Sequence, residues 1–272
     1  MASRLRPRLS ARIRSPLPTV MERLLSAWAW VAAVLLVLIG FFYVAAIWLV
    51  TAPFDPGRYQ AGRALRRLAV SHVALTRLWR FETEGMPPEG PRRPYVVVSN
   101  HESYADIFLV SHFPWEMKWL SKHTIFQIPV MGWMMRMALD VPVRRGERES
   151  AIAALAECRD RLARRVSVMI FAEGTRSPTD DLLPFKDGAF HLAIEAGVPI
   201  LPIAIAGTRN CMAKHSFAFR HAHAKARVLE PIPTEGMTRA DLGALRDRTR
   251  ATIDAARRVL QRELEIADAR VG

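Results

Sequence analysis

Residues 95–106 of the 272-residue chain read YVVVSNHESYAD, and this stretch decides the fold. It begins with a short apolar run and ends in a polar one. An uninterrupted apolar run of this length is typical of a strand buried on both faces of a parallel sheet. Similar runs occur at 166–171 and 200–205, with longer helical stretches between them. The alternation predicts an α/β domain whose mostly parallel sheet is flanked by helices.

The same patterns give a coarse map of this domain. The sequence predicts strands at 95–99, 139–143, 166–171, 200–205 and near 226–230. It predicts helices over 104–112, 129–138, 148–164, 186–196 and 239–265. The last helix has an apolar row on one face, which is typical of a helix packed against a sheet. That row consists of Leu242, Leu245, Ile253, Leu260 and Leu264.

Polar clusters follow three of these predicted strands. After the first, second and third come, respectively, His101, the pair Arg144 and Arg145, and the segment Glu173–Arg176. Ligands of open α/β sheets bind beyond the carboxyl ends of the strands, so these clusters are expected to meet at one edge. Each cluster alone is also explained by a turn with solvated charges. Their convergence favours a functional site.

His101 and Asp106 are the candidates for proton transfer. On one helix their spacing would place them about 140° apart, where they could not touch. They can touch if His101 lies in the turn before the helix and Asp106 in its first turn. The carboxylate would then fix the imidazole tautomer and leave the other ring nitrogen as a general base for a hydroxyl. Of the eight histidines, His101 alone has this aspartate and directly follows a buried strand.

The hydroxyl that His101 activates is expected to belong to a substrate. The chain has no G-x-S-x-G nucleophile elbow, which a serine hydrolase would need. It offers no convincing second ligand at metal-binding spacing, so the sequence predicts no metal and no cofactor. Direct transfer without a covalent enzyme intermediate is therefore favoured.

The segment Glu173–Arg176 is a candidate anion site. Gly174 allows close approach to the backbone, Thr175 has a hydroxyl, and the guanidinium of Arg176 can bind a phosphate with two hydrogen bonds. Arg145 can supply a second cation, and Glu173 can orient Arg176. Together the clusters describe a site that activates a hydroxyl on an anionic molecule.

The composition also favours anionic partners. The chain has 39 Lys and Arg against 26 Asp and Glu, a formal charge of +13, which suits nucleic acid, anionic lipid headgroups or phosphorylated substrates. No aromatic-basic surface or recognition helix is evident, so no nucleic acid partner is predicted. A membrane-tethered protein that binds nucleic acid or other anions is the alternative that charge alone suggests. Cys158 and Cys211 form no CxxC motif, which favours a reducing compartment.

The N-terminal part is expected to contact membrane lipids. Residues 27–50 contain no charged side chain, and tryptophans lie near both ends, as at a membrane interface. The predicted organisation is a basic arm at 1–26, a membrane-associated helical segment at 27–81, a linker at 82–94 and an α/β domain at 95–272. Arginines flank the apolar segment on both sides, a pattern that a single span cannot satisfy.

A re-entrant or interfacial hairpin satisfies this charge pattern. Its turn is expected near Gly40, with 65–81 continuing as a basic amphipathic helix. An ordinary signal anchor with an exported domain is the alternative. The hairpin would hold the catalytic domain at the cytoplasmic face of the cell inner membrane. Residues 125–138 are rich in methionine, which fits core packing, an acyl-chain groove or a membrane contact.

Several ordered blocks resemble those of the glycerolipid acyltransferases, specifically the 1-acyl-glycerol-3-phosphate (lysophosphatidate) acyltransferases. Residues 100–106 are similar to the N-H-x-x-x-x-D block of that family, 171–177 to its F-P-E-G-T-R-S block and 198–203 to its V-P-I-x-P-V block. The resemblance covers roughly 80–235. Ala172 stands where the family has proline. The block at 139–145 lacks the usual glycine and ends in two arginines, either of which can contact the phosphate.

The resemblance implies an O-acyltransferase. The implied reaction moves a fatty acyl group from an acyl thioester, on acyl carrier protein or CoA, to the hydroxyl of a lysophospholipid. The implied acceptor is 1-acyl-glycerol-3-phosphate, which gives phosphatidic acid; another lyso-lipid, such as a lyso-aminolipid, is the alternative. By the same resemblance His101 is the base, Asp106 orients it, and Arg145 with Glu173–Arg176 holds the acceptor phosphate.

Overall fold

The structure, a computed structural model, describes residues 20–87, 89–90, 92–212 and 218–270. Residues 1–19 of the predicted basic arm lie outside the described residues. In the described part, the chain forms a seven-stranded sheet with helices on both faces. The strands are β1 (Trp79–Glu84), β2 (Val96–Ser99), β3 (Met117–Lys122), β4 (Val141–Val143), β5 (Ser167–Phe171), β6 (Ile200–Ala206) and β7 (Ala222–Val228). The α-helices are α1 (Val20–Thr51), α2 (Tyr59–Thr76), α3 (Ala105–Val110), α4 (Met131–Met137), α5 (Arg148–Ala163), α6 (Gly188–Ala196) and α7 (Leu242–Ala269).

The sheet has the order β1-β7-β6-β2-β5-β3-β4. The five strands from β6 to β4 are parallel, whereas β7 is antiparallel to β6 and β1 is parallel to β7. The predicted, mostly parallel sheet is therefore confirmed. β2 lies between β5 and β6 with all its residues buried, and Ser99 pairs with both Phe171 and Ile203. The segments that follow these three strands consequently leave the sheet side by side.

Two strands escaped the sequence prediction, and a third is shifted. β1 includes residues 82–84, which the sequence placed in a linker; its glutamates pair with basic side chains of β7. β3 contains Lys118, which is fully buried and lies 3.1 Å from the carboxylate of Glu116. Lys118 also donates to the backbone carbonyl of Arg58 at 2.8 Å, so charged side chains in both strands have partners from distant parts of the chain, which local patterning does not show. β7 covers 222–228 instead of 226–230.

α1 and α2 form an antiparallel helical hairpin. α1 is continuous, so the prediction of a turn near Gly40 is wrong, and the chain reverses at 52–58 instead. A Cβ at Gly40 would lie 2.4 Å from the side chain of Leu68, so this glycine permits close contact between the helices. The amphipathic helix predicted for 65–81 corresponds to α2, which ends at Thr76, before β1 begins.

One face of α1 packs on the rest of the protein along the length of the helix. Near its start, Ala29 packs with Val73 and Phe219, and further on Val44 packs with Met134. The opposite face is exposed and apolar. Among the described helices, α1 is the one long and apolar enough to cross a membrane, and it lies near the N-terminus. The exposed side chains of this face include Val31, Val34, Leu35, Leu38, Ile39, Phe42 and Leu49.

Candidate active site

A histidine–aspartate pair lies beyond the carboxyl end of β2. Nδ1 of His101 is 2.6 Å from Oδ2 of Asp106. His101 precedes α3 and Asp106 lies in its first turn, which is why the five-residue spacing allows contact. Only 5% of His101 and none of Asp106 is exposed to solvent. Because the carboxylate holds Nδ1, the ring nitrogen on the other side, Nε2, is the one that another molecule can reach.

Asp106 accepts hydrogen bonds at both carboxylate oxygens. Besides the imidazole, Oδ2 accepts the backbone N–H groups of Glu102 at 2.8 Å and Ser103 at 3.1 Å. Oδ1 accepts the hydroxyl of Thr208, from the turn after β6. These donors compensate for the water that a buried carboxylate has lost. Thr208 escaped the sequence prediction, although it closely follows the strand predicted at 200–205.

Hydrogen bonds join the two motifs that the sequence paired. Oε1 of Glu173 accepts the backbone N–H of His101 at 2.7 Å, and Oε2 accepts that of Leu183 at 2.8 Å. The backbone N–H of Ser177 in turn donates to the carbonyl of His101 at 2.9 Å. Burial raises the pKa of Glu173, and the two backbone donors oppose that rise. Both oxygens of this carboxylate are thus occupied by the main chain, and Glu173 links the motifs instead of facing Arg176.

Ring stacking and hydrogen bonds to the neighbouring strands hold the histidine–aspartate segment in place. The imidazole of His101 stacks on Phe171, with centroids 4.1 Å apart and planes 17° apart. The side chain of Asn100 makes two hydrogen bonds of 2.9 Å with the backbone of Ile205 in β6. The first motif is therefore fixed to both neighbouring strands.

Basic side chains surround the second motif. The guanidinium of Arg176 lies 3.9 Å from the ring centroid of Tyr104. Gly174 has a φ of 69°, and a Cβ there would lie 2.7 Å from Cε of Lys186, so the loop passes directly beside this lysine. Gly174, Lys186 and Arg145 line one cavity of about 220 Å³. Lys186 was not among the predicted site residues; the sequence placed it at the start of the helix predicted over 186–196, whereas it lies in the loop before α6.

Arg145 reaches this region from the far end of the sheet. It follows β4, and β3 separates β4 from β5 in the sheet order. Partial burial lowers the pKa of Arg145, nearby Tyr104 opposes that effect, and Arg176 adds to it. Arg145, Tyr104 and Arg176 are therefore close enough to interact. Arg144 lines the same cavity, and Thr175 is exposed.

A larger polar cavity, of about 480 Å³, opens beside Glu102, Arg176 and Arg209. Burial, and then the charge of Asp106, raise the pKa of Glu102 to about 7, while Arg209 and Arg257 oppose the rise. Arg209 donates to the carbonyl of Ser177 at 2.9 Å and so holds the loop that carries Arg176. Acidic and basic side chains therefore line this cavity, and the carboxyl group of Glu102 titrates near neutral pH.

A third cavity, of about 260 Å³, is almost entirely apolar and lies between α1, α2, α3 and α4. Met131, Met134 and Met135, from the methionine-rich segment, form part of its wall. Met134 and Met135 are also buried in the core. Trp119 lines the cavity and contacts Phe171 edge to face, with centroids 6.1 Å apart. Through Phe171 the apolar cavity borders the imidazole of His101.

Within the described residues, no group of three or more His, Cys, Asp or Glu side chains is arranged to hold a metal ion. The chemistry available here consists of a paired imidazole, buried carboxylates and a cluster of cations. Those groups suit proton transfer on an anionic molecule.

Known proteins are similar to this chain in sequence and in fold. A sequence model described as Acyltransferase matches residues 80–206. The chain is 35% identical over 196 residues to the 1-acyl-sn-glycerol-3-phosphate acyltransferase alpha of Homo sapiens, covering 71% of this chain and 69% of the human protein. It is 32% identical over 163 residues to a 1-acyl-sn-glycerol-3-phosphate acyltransferase of Saccharomyces cerevisiae, covering 58% of this chain and 54% of the yeast protein. The crystal structure of the 1-acyl-sn-glycerophosphate acyltransferase PlsC from Thermotoga maritima superimposes with a TM-score of 0.69 at 25% identity, covering 89% of this chain and 97% of that chain.

The parallel sheet and these relatives define the class, which is that of the O-acyltransferases. The chain belongs to the 1-acyl-sn-glycerol-3-phosphate acyltransferase family. The resemblance of the three sequence blocks to this family is thereby confirmed. Members of the class act on an acyl donor and a lysophospholipid acceptor.

Proposed function

We propose that the protein transfers a fatty acyl group from a thioester to the free hydroxyl of 1-acyl-glycerol-3-phosphate, giving phosphatidic acid, with His101 as general base and Asp106 as its partner. The observation that carries this proposal is the 2.6 Å contact between the two side chains, made beside a cluster of cations. Family membership supports the reaction, and the contacts support the assignment of residues.

Nε2 of His101 accepts the proton of the acceptor hydroxyl while the hydroxyl oxygen attacks the thioester carbonyl. Asp106 stabilises the imidazolium that results. The carbon–sulfur bond then breaks, the new carbon–oxygen ester bond remains, and the imidazolium gives its proton to the departing thiolate. The substrate supplies the nucleophile, so the enzyme contributes mainly orientation and electrostatic stabilisation.

Three cations hold the acceptor phosphate in this proposal. Arg176 and Arg145 offer planar guanidinium groups that can bind phosphate oxygens in pairs, and Lys186 adds a compact charge. Gly174 and Thr175 present backbone and hydroxyl groups on the same loop. Glu173 acts as a positioning residue, because its two oxygens accept backbone N–H groups.

The apolar cavity receives the acyl chain. Its walls come mostly from helices, with Trp119 of β3 among them, and its methionines adapt to chains of different shape. Phe171 contacts both His101 and Trp119, and Trp119 lines the cavity, so the cavity lies close to the reacting group. Acyl carrier protein and CoA present the same thioester, so both are donors to be compared.

The hairpin of α1 and α2 lies in the membrane interface. A spanning helix would leave the domain surface, but α1 packs on the protein near both of its ends. The exposed apolar face of α1 then lies among lipid chains, and the exposed Arg23 of α1 and Arg67 of α2 lie among headgroups. We infer that the domain lies on the cytoplasmic face of the cell inner membrane, a reducing compartment that suits the two free cysteines, Cys158 and Cys211.

The experiment is an acyl-transfer assay with the full-length protein in lipid vesicles. Lysophosphatidate and a lyso-lipid with an amine headgroup are each offered with acyl carrier protein and CoA thioesters. We expect transfer to lysophosphatidate, and a loss of at least about a hundredfold in His101→Ala. His191→Ala is the matched control, because His191 lies on α6 and pairs with Glu195 at 3.3 Å. Full activity of His101→Ala would overturn the mechanism.

Two further measurements address the acceptor and the membrane. Arg176→Ala should raise the KM for lysophosphatidate more than that for the amine-headgroup lyso-lipid. Equal effects on both acceptors would count against a phosphate contact. Protease added to intact spheroplasts should leave the domain uncut, and cleavage there would place the domain on the outer face.

A further inference from the structure

Thr208 lies in the 3₁₀ turn after β6 and is fully buried. Its hydroxyl donates to Oδ1 of Asp106 and lies 3.4 Å from Oε2 of Glu102. The mechanism proposed above uses the other oxygen, Oδ2, which accepts from His101. Thr208 therefore holds the opposite side of the carboxylate that orients the base.

The turn delivers this hydroxyl from a fixed backbone. Gly207 has a φ of 91°, and a Cβ there would lie 2.4 Å from the carbonyl oxygen of His223, so the backbone path requires glycine. The backbone N–H of Cys211 donates to the carbonyl of Thr208 at 3.0 Å. β6, the turn and the edge of the sheet together determine where the hydroxyl points.

The hydroxyl of Thr208 has one proton and two carboxyl groups within reach. Because the contact with Asp106 is the shorter of the two, the hydroxyl of Thr208 donates its hydrogen bond to Asp106. Glu102 can then bond to the oxygen of Thr208 only as a donor, in its protonated form. Burial raises the pKa of Glu102 to about 7, so this form is populated near neutral pH. The hydrogen bonds form a chain that runs from Glu102 through Thr208 to Asp106, which also accepts from His101.

We propose that Thr208 is a positioning residue of this acyltransferase, whose hydroxyl fixes the carboxylate of Asp106, and thereby the ring of His101, and connects both to Glu102. The inference rests on the roles proposed above for His101 and Asp106. Without the hydroxyl, Oδ1 of Asp106 would be a buried charged oxygen that has lost this donor, which costs more than an ordinary hydrogen bond. The carboxylate would turn toward other donors, and the imidazole would turn with it.

Charged and titratable groups from several elements face this series of hydrogen bonds from Glu102 to Asp106. They are Glu173 from the segment after β5, Arg209 and Cys211 from the region after β6, and Arg257 from α7. The substitutions chosen as tests leave all four unchanged. Any shift in pH dependence therefore reports on the hydroxyl and the groups it touches.

The test compares Thr208→Val with Thr208→Ser in the vesicle assay. Valine keeps the β-branched shape and removes the donor, whereas serine keeps the donor. We expect kcat of Thr208→Val to fall by about tenfold to a hundredfold, with KM for both substrates changed by less than about threefold. Thr208→Ser should keep at least about a third of the wild-type kcat. The acid limb of the kcat/KM profile of Thr208→Val should move to higher pH, because the carboxylate that faces the imidazolium has lost a competing donor.

Each outcome decides the proposal. Wild-type kcat in Thr208→Val overturns it, and so does equal damage by serine and valine with an unchanged pH profile, which would show a purely structural role. If valine prevents folding, Thr208→Ala, which is smaller, takes its place with the same expectations. His101→Ala is assayed alongside: an active His101→Ala removes the proposed function itself, whereas an inactive one with normal Thr208→Val removes only the inference.

Discussion

Replacing Glu102 by glutamine should stabilise the folded protein near neutral pH, because it removes a carboxyl group whose ionisation the fold disfavours. Burial, and next the charge of Asp106, raise the pKa of Glu102 from an ordinary 4.5 to about 7, against the pull of Arg209 and Arg257. Below pH 4.5 the folded and unfolded chains both hold the proton. Between 4.5 and 7 the unfolded chain releases it while the folded chain keeps it, so the free energy of unfolding falls as pH rises. Above pH 7 the destabilisation is complete.

The size of this effect follows from the shift. One pH unit corresponds to about 1.4 kcal/mol, so the rise to about 7 sets a ceiling of about 3 kcal/mol. Water in the adjoining cavity screens part of the charge, which reduces the expected value to about 1–2 kcal/mol. Glutamine does not titrate, and its amide can still donate to Thr208. Relative to wild type, Glu102→Gln should therefore gain about 1–2 kcal/mol of stability between pH 4.5 and pH 8.

Urea unfolding in a mild detergent, followed by tryptophan fluorescence, measures this difference at both pH values. Glu235→Gln, which removes an exposed carboxylate in the turn before α7, is the matched control. Its difference from wild type should change little between the two pH values, since an exposed group is well solvated in both states. A difference between Glu102→Gln and wild type that is the same at pH 4.5 and pH 8 would contradict the raised pKa of Glu102.

Three other substitutions have expected outcomes. Gly132→Ala would place a Cβ 2.0 Å from the backbone oxygen of Phe126, so urea unfolding should show a loss of at least about 2 kcal/mol; a loss below about 0.5 kcal/mol would contradict the tight contact. Lys118→Met leaves the buried carboxylate of Glu116 without its 3.1 Å partner and should cost about 3 kcal/mol, part of which Glu116→Gln in the same chain should restore. Glu173→Gln can accept only one of the two backbone N–H groups it now accepts, so kcat should fall by about tenfold or more, and unchanged kcat would rule out its positioning role.

The sequence predicts the centre of the sheet well because those strands carry their own signal. β2, β5 and β6 are buried on both faces and therefore read as continuous apolar runs. β3 and β1 fail the same test because their charged residues have partners elsewhere in the chain. Besides the nearby Glu116, Lys118 donates to the carbonyl of Arg58, 60 residues earlier, and Glu84 pairs with Arg227, far along the chain. Pairing of this kind depends on the tertiary fold, which local patterning does not report.

The candidate site follows the same division. His101 and Glu173 were found because polar residues directly follow buried strands, and the structure brings their segments together. The same rule applied to the strand at 200–205 would have pointed to Gly207 and Thr208. Lys186 carries no such signal: it reaches the loop of Gly174 because its backbone N–H donates to the carbonyl of Ala172 at 2.8 Å.

Buried side chains hold the strand ends together, whereas the cations are exposed or half-buried. Substitutions at the two places should therefore change different kinetic constants. Three buried side chains form hydrogen bonds between segments that follow different strands. Asn100 links β2 to β6, Glu173 links the segments after β2 and β5, and Thr208 links the turn after β6 to α3, which follows β2. The cations, in contrast, come from exposed or half-buried loop positions. Loss of one of these hydrogen-bonding side chains moves the imidazole relative to the bound substrates and should lower kcat. Loss of a cation removes an interaction that the phosphate makes before and during the reaction alike, and should mainly raise KM.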